Sequence, residues 1–201
     1  MTPGPSEVHP EVIAAIARSQ LVHYGTEWGN FYKETCQSLK PFFGTNQDPM
    51  LMFGAGSLVM EAGLANALNP GDEVVNVITG YFGQRLEEMM KLRGLRVDSV
   101  KAEIGKTVPA DDIEKTFKDH KNAKALVAVH IDTSSGVVSP IDQYAETARK
   151  HGALTIADVI CSFGGAPIEM DSWGLDFCAG YPSKCLSSIS GMTPYAVSKR
   201  F

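Results

Sequence analysis

The run AKALVAVHI, residues 123–131, narrows the choice of fold more than any other stretch of this chain. Its apolar residues are continuous rather than alternating, which suits a strand covered on both faces and therefore a parallel sheet flanked by helices. Two further short apolar strands follow, ALTIAD at 153–158 and LDFCAG at 175–180. The first ends on Asp158, and Lys184 lies just beyond the second. Ligands of open α/β sheets sit at the carboxyl ends of strands, so a carboxylate and an amine are predicted beside one crevice.

The remaining elements continue this alternation. MLMFG (50–54) reads as a buried strand, 73–78 as another, LRVDSVK (95–101) as a third and GMTPYAVS (191–198) as the last, making seven. A helix is predicted from Pro10, a favoured first helical position, with Val12, Ile13 and Ile16 on one face. FYKETCQSLKPFFG (31–44) predicts a second, closed by Gly44 and packed on the sheet through Phe31, Cys36 and Leu39. Others run from a capping Ser57 to Leu68, after a glycine-flanked loop holding Phe82, around Ile113 and Phe117, and from Tyr144 to His151. His23–Trp28 and the polar stretch Thr133–Gly136 read as loops. The whole predicts one three-layer α/β/α domain over residues 1–201, with a turn-rich arm at 1–20.

Composition bounds the function. The net charge of −5 and the lack of a basic patch exclude a nucleic-acid footprint and favour a small-molecule ligand. No run approaches the roughly 18 apolar residues of a membrane span. The start, MTPGPSEVHPEV, has neither part of a signal peptide. The four cysteines, Cys36, Cys161, Cys178 and Cys185, and the five scattered histidines have no metal-ligand spacing. A reduced, cytoplasmic protein without a metal is expected. YAVSKRF closes the sequence without a cap or packed helix, as though a larger protein would continue.

An amine and a carboxylate at one crevice are the groups needed by a cofactor with an aldehyde and a cationic ring nitrogen, which describes pyridoxal phosphate. Lys184 would hold the aldehyde and later move a proton, while Asp158 would stay ionised against the ring nitrogen. The glycine turn at 54–56 before a helix leaves N–H groups that attract phosphate. Phe82 reads either as a ring over a planar cofactor or as a core cap, and Ile160 as the opposite face. His130, Asp132, Thr133 and Ser134 are placed to reach ring or phosphate, although His130 by itself reads first as a satisfied core histidine. GAGSLVMEAG lacks a P-loop lysine, no GxGxxG is present, and SFGG is not a GxSxG elbow. A competing reading is an α/β interaction module without catalysis.

Five patterns then occur in order: TPGP with VHP, AGSLVMEAGLAN, GYFGQR, HIDTSSGV, and the pair ADVICSFGG and GYPSKCL. Together they resemble the large domain of fold-type I pyridoxal-phosphate enzymes of aminotransferase class V. Within that class the likeness is to enzymes near the alanine–glyoxylate, serine–glyoxylate and pyridoxamine–pyruvate aminotransferases. The resemblance implies a mostly parallel seven-stranded sheet whose strand after Lys184 is antiparallel. It implies that Ala55, Gly56, Ser57 and Ser183 bind the phosphate, Phe82 stacks on the ring and Thr133 contacts its oxygen side. Asp158 pairs with the ring nitrogen, Ile160 packs opposite Phe82, and Lys184 carries the cofactor.

By the same resemblance the substrates are a small amino donor and a 2-oxo acid such as glyoxylate or pyruvate, and the parent is a homodimer. A C-terminal small domain, absent from these 201 residues, would supply an arginine for the substrate carboxylate. Two positions depart from the pattern: Ser183 stands where relatives carry Gln or Asn, and Ile189-Ser190-Gly191 where they carry Pro-Pro-Gly. Cysteine desulfurases and other lyases share the Asp and Lys pair. A desulfurase would carry histidine in place of Ser183.

Overall fold

A computed structural model describes residues 3–201, so Thr2 of the TPGP pattern lies outside the described residues. The strands are β1 (Met50–Phe53), β2 (Glu73–Ile78), β3 (Arg96–Lys101), β4 (Ala123–Val129), the short pair β5 (Ile131–Asp132) and β6 (Val137–Val138), then β7 (Leu154–Asp158), β8 (Phe177–Ala179) and β9 (Met192–Val197). Seven form one sheet in the order β1-β9-β8-β7-β4-β2-β3, and β5 and β6 make a separate hairpin. Pairing is parallel throughout β8, β7, β4, β2 and β3, whereas β9 runs antiparallel to both β1 and β8. The strand after Lys184 is the reversed one, as the resemblance implies.

The helices are α1 (Pro10–Ile16), α2 (Gly25–Ser38), α3 (Lys40–Phe43), α4 (Gly56–Ala67), α5 (Tyr81–Leu92), α6 (Ala110–Asp119), α7 (Ile141–Lys150) and α8 (Met170–Trp173). Successive residues of a strand face opposite ways, and the two sides of the sheet carry separate cores. Val74, Ala125, Val127 and Ile156 pack with Val59, Met60 and Leu64 of α4 and with Leu86 and Met90 of α5. Their neighbours Val75, Leu126 and Ala157 face α6 and α7 through Ile113, Phe117, Ile141 and Tyr144. This is the expected three-layer α/β/α architecture. None of the helices in the described residues is long and apolar enough to cross a membrane.

Several local expectations are corrected. α2 begins at Gly25, inside the segment predicted as a loop, and only its end reaches the core, where Cys36 is buried and Leu39 packs. Phe31 stays exposed on the stretch of α2 before Cys36, where no residue is buried, and α1 buries no residue at all. Helical spacing says which residues share a face, not whether anything covers it. β1 is an edge strand rather than a buried one, with Phe53 82% exposed. Thr133–Gly136 is the tight turn of the β5-β6 hairpin, held by the Ser135 and Gly136 N–H groups donating to Asp132 O.

Candidate active site

β2 and β4 are neighbours whose onward connections leave to opposite sides, β2 through α5 and β4 through α7. Such a reversal opens a crevice at the carboxyl ends of the strands. A cavity of about 190 Å³ lies there, walled by the start of α4, one face of α5, the ends of β4 and β7, and the segment after β8. Seven of the nine residues that the resemblance assigns to the cofactor line it: Ala55, Gly56, Ser57, Phe82, Asp158, Ile160 and Lys184.

Parallel register puts Asp158 beside Val129 on one side and Ala179 on the other. Its Oδ1 accepts from Ile160 N–H at 2.9 Å, and its Oδ2 accepts no hydrogen bond among the described residues. Burial raises the Asp158 carboxyl to about 6, opposed by the Ile160 bond and the positive charge of Lys184 and reinforced by the negative charge of Asp132. The charge of a carboxylate walled in this way carries a desolvation cost that a nearby cation offsets. Lys184, in the segment between β8 and β9, donates from Nζ to Pro3 O at 3.3 Å.

α4 starts differently from the expectation. Ala55 is its N-cap and no side chain caps it, so Ser57 is not the cap but a residue of the first turn with its hydroxyl free of that task. The opening N–H groups of a helix have no intrahelical acceptor and favour an anion. Gly56 meets a steric need there, since a Cβ at this position would lie 2.5 Å from Ile160 Cδ1. The close contact sets the helix start directly against Ile160, two residues beyond the end of β7.

Phe82 belongs to the first turn of α5 and not to a loop before it. The buried Asp132 explains its fixed place: Oδ2 accepts from Phe82 N–H at 3.0 Å and Gly83 N–H at 3.3 Å, while Oδ1 accepts from Ser134 N–H and Ser134 Oγ at 3.0 and 2.6 Å. Asp132 and Ser134 are thus occupied in capping α5 from the hairpin, Ser134 Oγ also accepting from Tyr81 N–H at 2.8 Å. His130 is a buried core histidine with Nδ1 2.9 Å from Ser162 Oγ and its ring edge-on to Trp173. Burial lowers its pKa.

Thr133 and Ser183 do not line the cavity. Thr133 lies beside the thiol of Cys161, which burial pushes up in pKa and which does line it. Ser183 is buried, its carbonyl accepting from Ser6 N–H at 2.8 Å. Sequence reasoning missed Arg85, Met89 and Tyr181 in the wall. The signal for the first two was present, since Phe82, Arg85 and Met89 recur at helical spacing on one face of α5.

Comparison with known proteins places this geometry. The chain is 32% identical over its whole length to the (S)-ureidoglycine–glyoxylate transaminase of Bacillus subtilis, covering 48% of that protein. It is 33% identical over its whole length to the alanine–glyoxylate aminotransferase of Drosophila melanogaster, covering 51%. The solved alanine–glyoxylate aminotransferase of Nostoc sp. superposes on all of it with a TM-score of 0.95 at 31% identity, 53% of that structure being matched. The chain therefore spans about half the length of the relatives it matches. The Aminotransferase class-V family model matches residues 6–189, and the chain belongs to that family.

Proposed function

We propose that the cavity at the ends of β4 and β7 binds pyridoxal phosphate in a large domain formed by residues 1–201, with 1–20 as its arm. In this reading the protein carrying the chain transfers an amino group from a small amine or amino acid to a 2-oxo acid, glyoxylate or pyruvate. The observation that carries this reading is the meeting in one cavity of a buried, half-unpartnered carboxylate, a lysine amine and an uncapped helix start. The three groups fit the three poles of the cofactor: ring nitrogen, aldehyde and phosphate.

When bound, the cofactor supplies a conjugated ring that accepts the electron pair released at the α-carbon of the amino donor. Asp158 holds the ring nitrogen in its charged form, and the N–H groups of α4 with the Ser57 hydroxyl receive the phosphate. Phe82 and Ile160 confine the ring between them. Thr133 and Ser183, set back from the wall, support Cys161 and the lysine segment rather than close the cavity. Lys184 Nζ anchors the aldehyde and, when released, takes the proton from the α-carbon of the donor and returns it as acid.

Ile13, Ile16, Leu21, Val22 and Phe31 form an exposed apolar surface on α1, α2 and their connection. Such a surface supports assembly with a second copy, and sedimentation of the natural protein tests this part of the reading. The carboxylate-binding arginine belongs to a C-terminal small domain in the same proposal, and the compartment is the cytoplasm. Borohydride reduction of the natural, pyridoxal-phosphate-loaded protein, followed by peptide mass mapping, is the decisive experiment for the site. The adduct is expected on Lys184, with amino transfer to glyoxylate or pyruvate in a coupled assay. An adduct on another lysine overturns the assignment.

A further inference from the structure

Lys184 sits in an irregular segment, residues 181–191, between β8 and β9. Side chains held by loops are placed only as well as the loop's own contacts allow. Within the segment, Ser187 N–H donates to Lys184 O at 3.1 Å and Ser188 N–H to Pro182 O at 3.0 Å. Elsewhere in it Cys185 Sγ donates to Cys161 O at 3.3 Å, Gly191 N–H to Tyr181 Oη at 3.4 Å and Gly54 N–H to Gly191 O at 2.8 Å. The hydrogen bonds to the Ser183 carbonyl, and a second one to that of Lys184, come from the far end of the chain. Ser6 N–H donates to Ser183 O at 2.8 Å, and Ser6 Oγ lies 2.6 Å from Lys184 O and 3.1 Å from Ser183 O. His9 N–H donates to Ser187 O at 2.8 Å. One serine thus grips both carbonyls that flank the Lys184 backbone, across a separation of 177 residues to Ser183.

The arm also meets the side chain. Pro3 O accepts from Lys184 Nζ at 3.3 Å. Gly4 lies over the aliphatic stem, and a Cβ at Gly4 would stand 2.4 Å from Nζ and 2.7 Å from Cδ. Any other residue at position 4 would press on the amine, and its φ of +134° further favours glycine. The arm therefore does two things to one lysine: it pins the backbone through Ser6 and lays a glycine and a carbonyl against the amine.

We propose that Ser6 is a positioning residue for Lys184 and that Pro3 and Gly4 back the Lys184 side chain from behind the cavity wall. The inference rests on the reading of Lys184 as the reactive amine. When the amine is unengaged, Pro3 O holds it in the cavity. When it is engaged, Ser6 keeps its backbone in register with Asp158. Neither role requires Ser6 to touch substrate or cofactor.

The test compares Ser6→Ala, Ser6→Thr and Gly4→Ala with the parent sequence in the natural full-length protein. Cofactor-free protein is treated with trace acetic anhydride, and the labelling of Lys184 is measured against that of the exposed Lys121 by peptide mass spectrometry. Separately, the initial rate of borohydride-trapped adduct formation with limiting pyridoxal phosphate is followed at Lys184. Ser6→Ala is expected to raise the relative acetylation of Lys184 several-fold and to slow adduct formation about fivefold, the factor set by one hydrogen bond of ordinary net strength. Ser6→Thr keeps the hydroxyl and is expected to restore both. Gly4→Ala, with the latch intact and the amine displaced, is expected to slow adduct formation as well. Parent-like acetylation and trapping in both Ser6→Ala and Gly4→Ala overturn the positioning role while leaving Lys184 as the site. An adduct elsewhere in the parent protein overturns the functional reading instead.

Discussion

Replacing Asp158 by Asn isolates what it costs to hold a carboxylate at the end of β7. Burial, partly offset by the Ile160 N–H bond, raises this carboxyl to about 6 in the folded chain. In an unfolded chain the same group titrates near about 3.9. A folded pKa above the unfolded one means that, between those values, the native state keeps a proton that the unfolded state has released. Stability therefore falls as pH rises from about 4 to about 6 and stays lowered above that. The whole difference is about 3 kcal/mol, a factor of more than 100 in the folding equilibrium. Asn removes the charge, while its amide oxygen can still accept from Ile160 N–H. In urea unfolding of cofactor-free protein, the variant is expected within about 0.5 kcal/mol of the parent at pH 4 and about 3 kcal/mol more stable at pH 8. Under the proposed function, saturating pyridoxal phosphate is expected to reverse the order, because the ring nitrogen would supply the missing cation. A difference that does not change with pH, or a variant less stable at pH 8 without cofactor, would refute the reasoning.

Three further outcomes follow from the packing around the site. Gly63→Ala gains up to about 1 kcal/mol of helix propensity but drives a Cβ to within 2.6 Å of the buried Phe177 ring; overpacking of about 1–3 kcal/mol wins, and calorimetry should show a Tm lower by a few degrees. Asp132→Ala leaves the N–H groups of Phe82, Gly83 and Ser134 without their acceptor, so a loss of about 3 kcal/mol or more is expected in urea, together with weaker cofactor binding as Phe82 loosens. Under iodoacetamide at pH 8, Cys185 is expected to alkylate first and Cys178 only on unfolding, since Cys185 is exposed whereas burial both shields Cys178 and raises its pKa; early labelling of Cys178, read by mass spectrometry, would contradict the packing of β8.

The sequence by itself determined the layer architecture, the seven strands of the main sheet and the position of Asp158 at the end of β7. These depend on short-range facts: uninterrupted apolar residues in AKALVAVHI, their absence at the turns, and a charged residue where an apolar run stops. It also carried the placement of Ala55, Gly56, Phe82 and Lys184 at connections that converge once the strands are parallel. The order of the strands, the capping of α5 and the setting of Lys184 were decided only in three dimensions. Phe82 is aimed by Asp132, 50 residues away, and nothing near Phe82 announces that carboxylate. The apolar spacing of α1 foretold a face but not its exposure, because coverage belongs to another element. Ser6 looks like an ordinary turn serine until the arm lies against residues 183–187. Local pattern reflects neighbours within a turn or a pleat, whereas the site is closed by contacts between segments far apart in sequence, and only the assembled sheet brings those segments together.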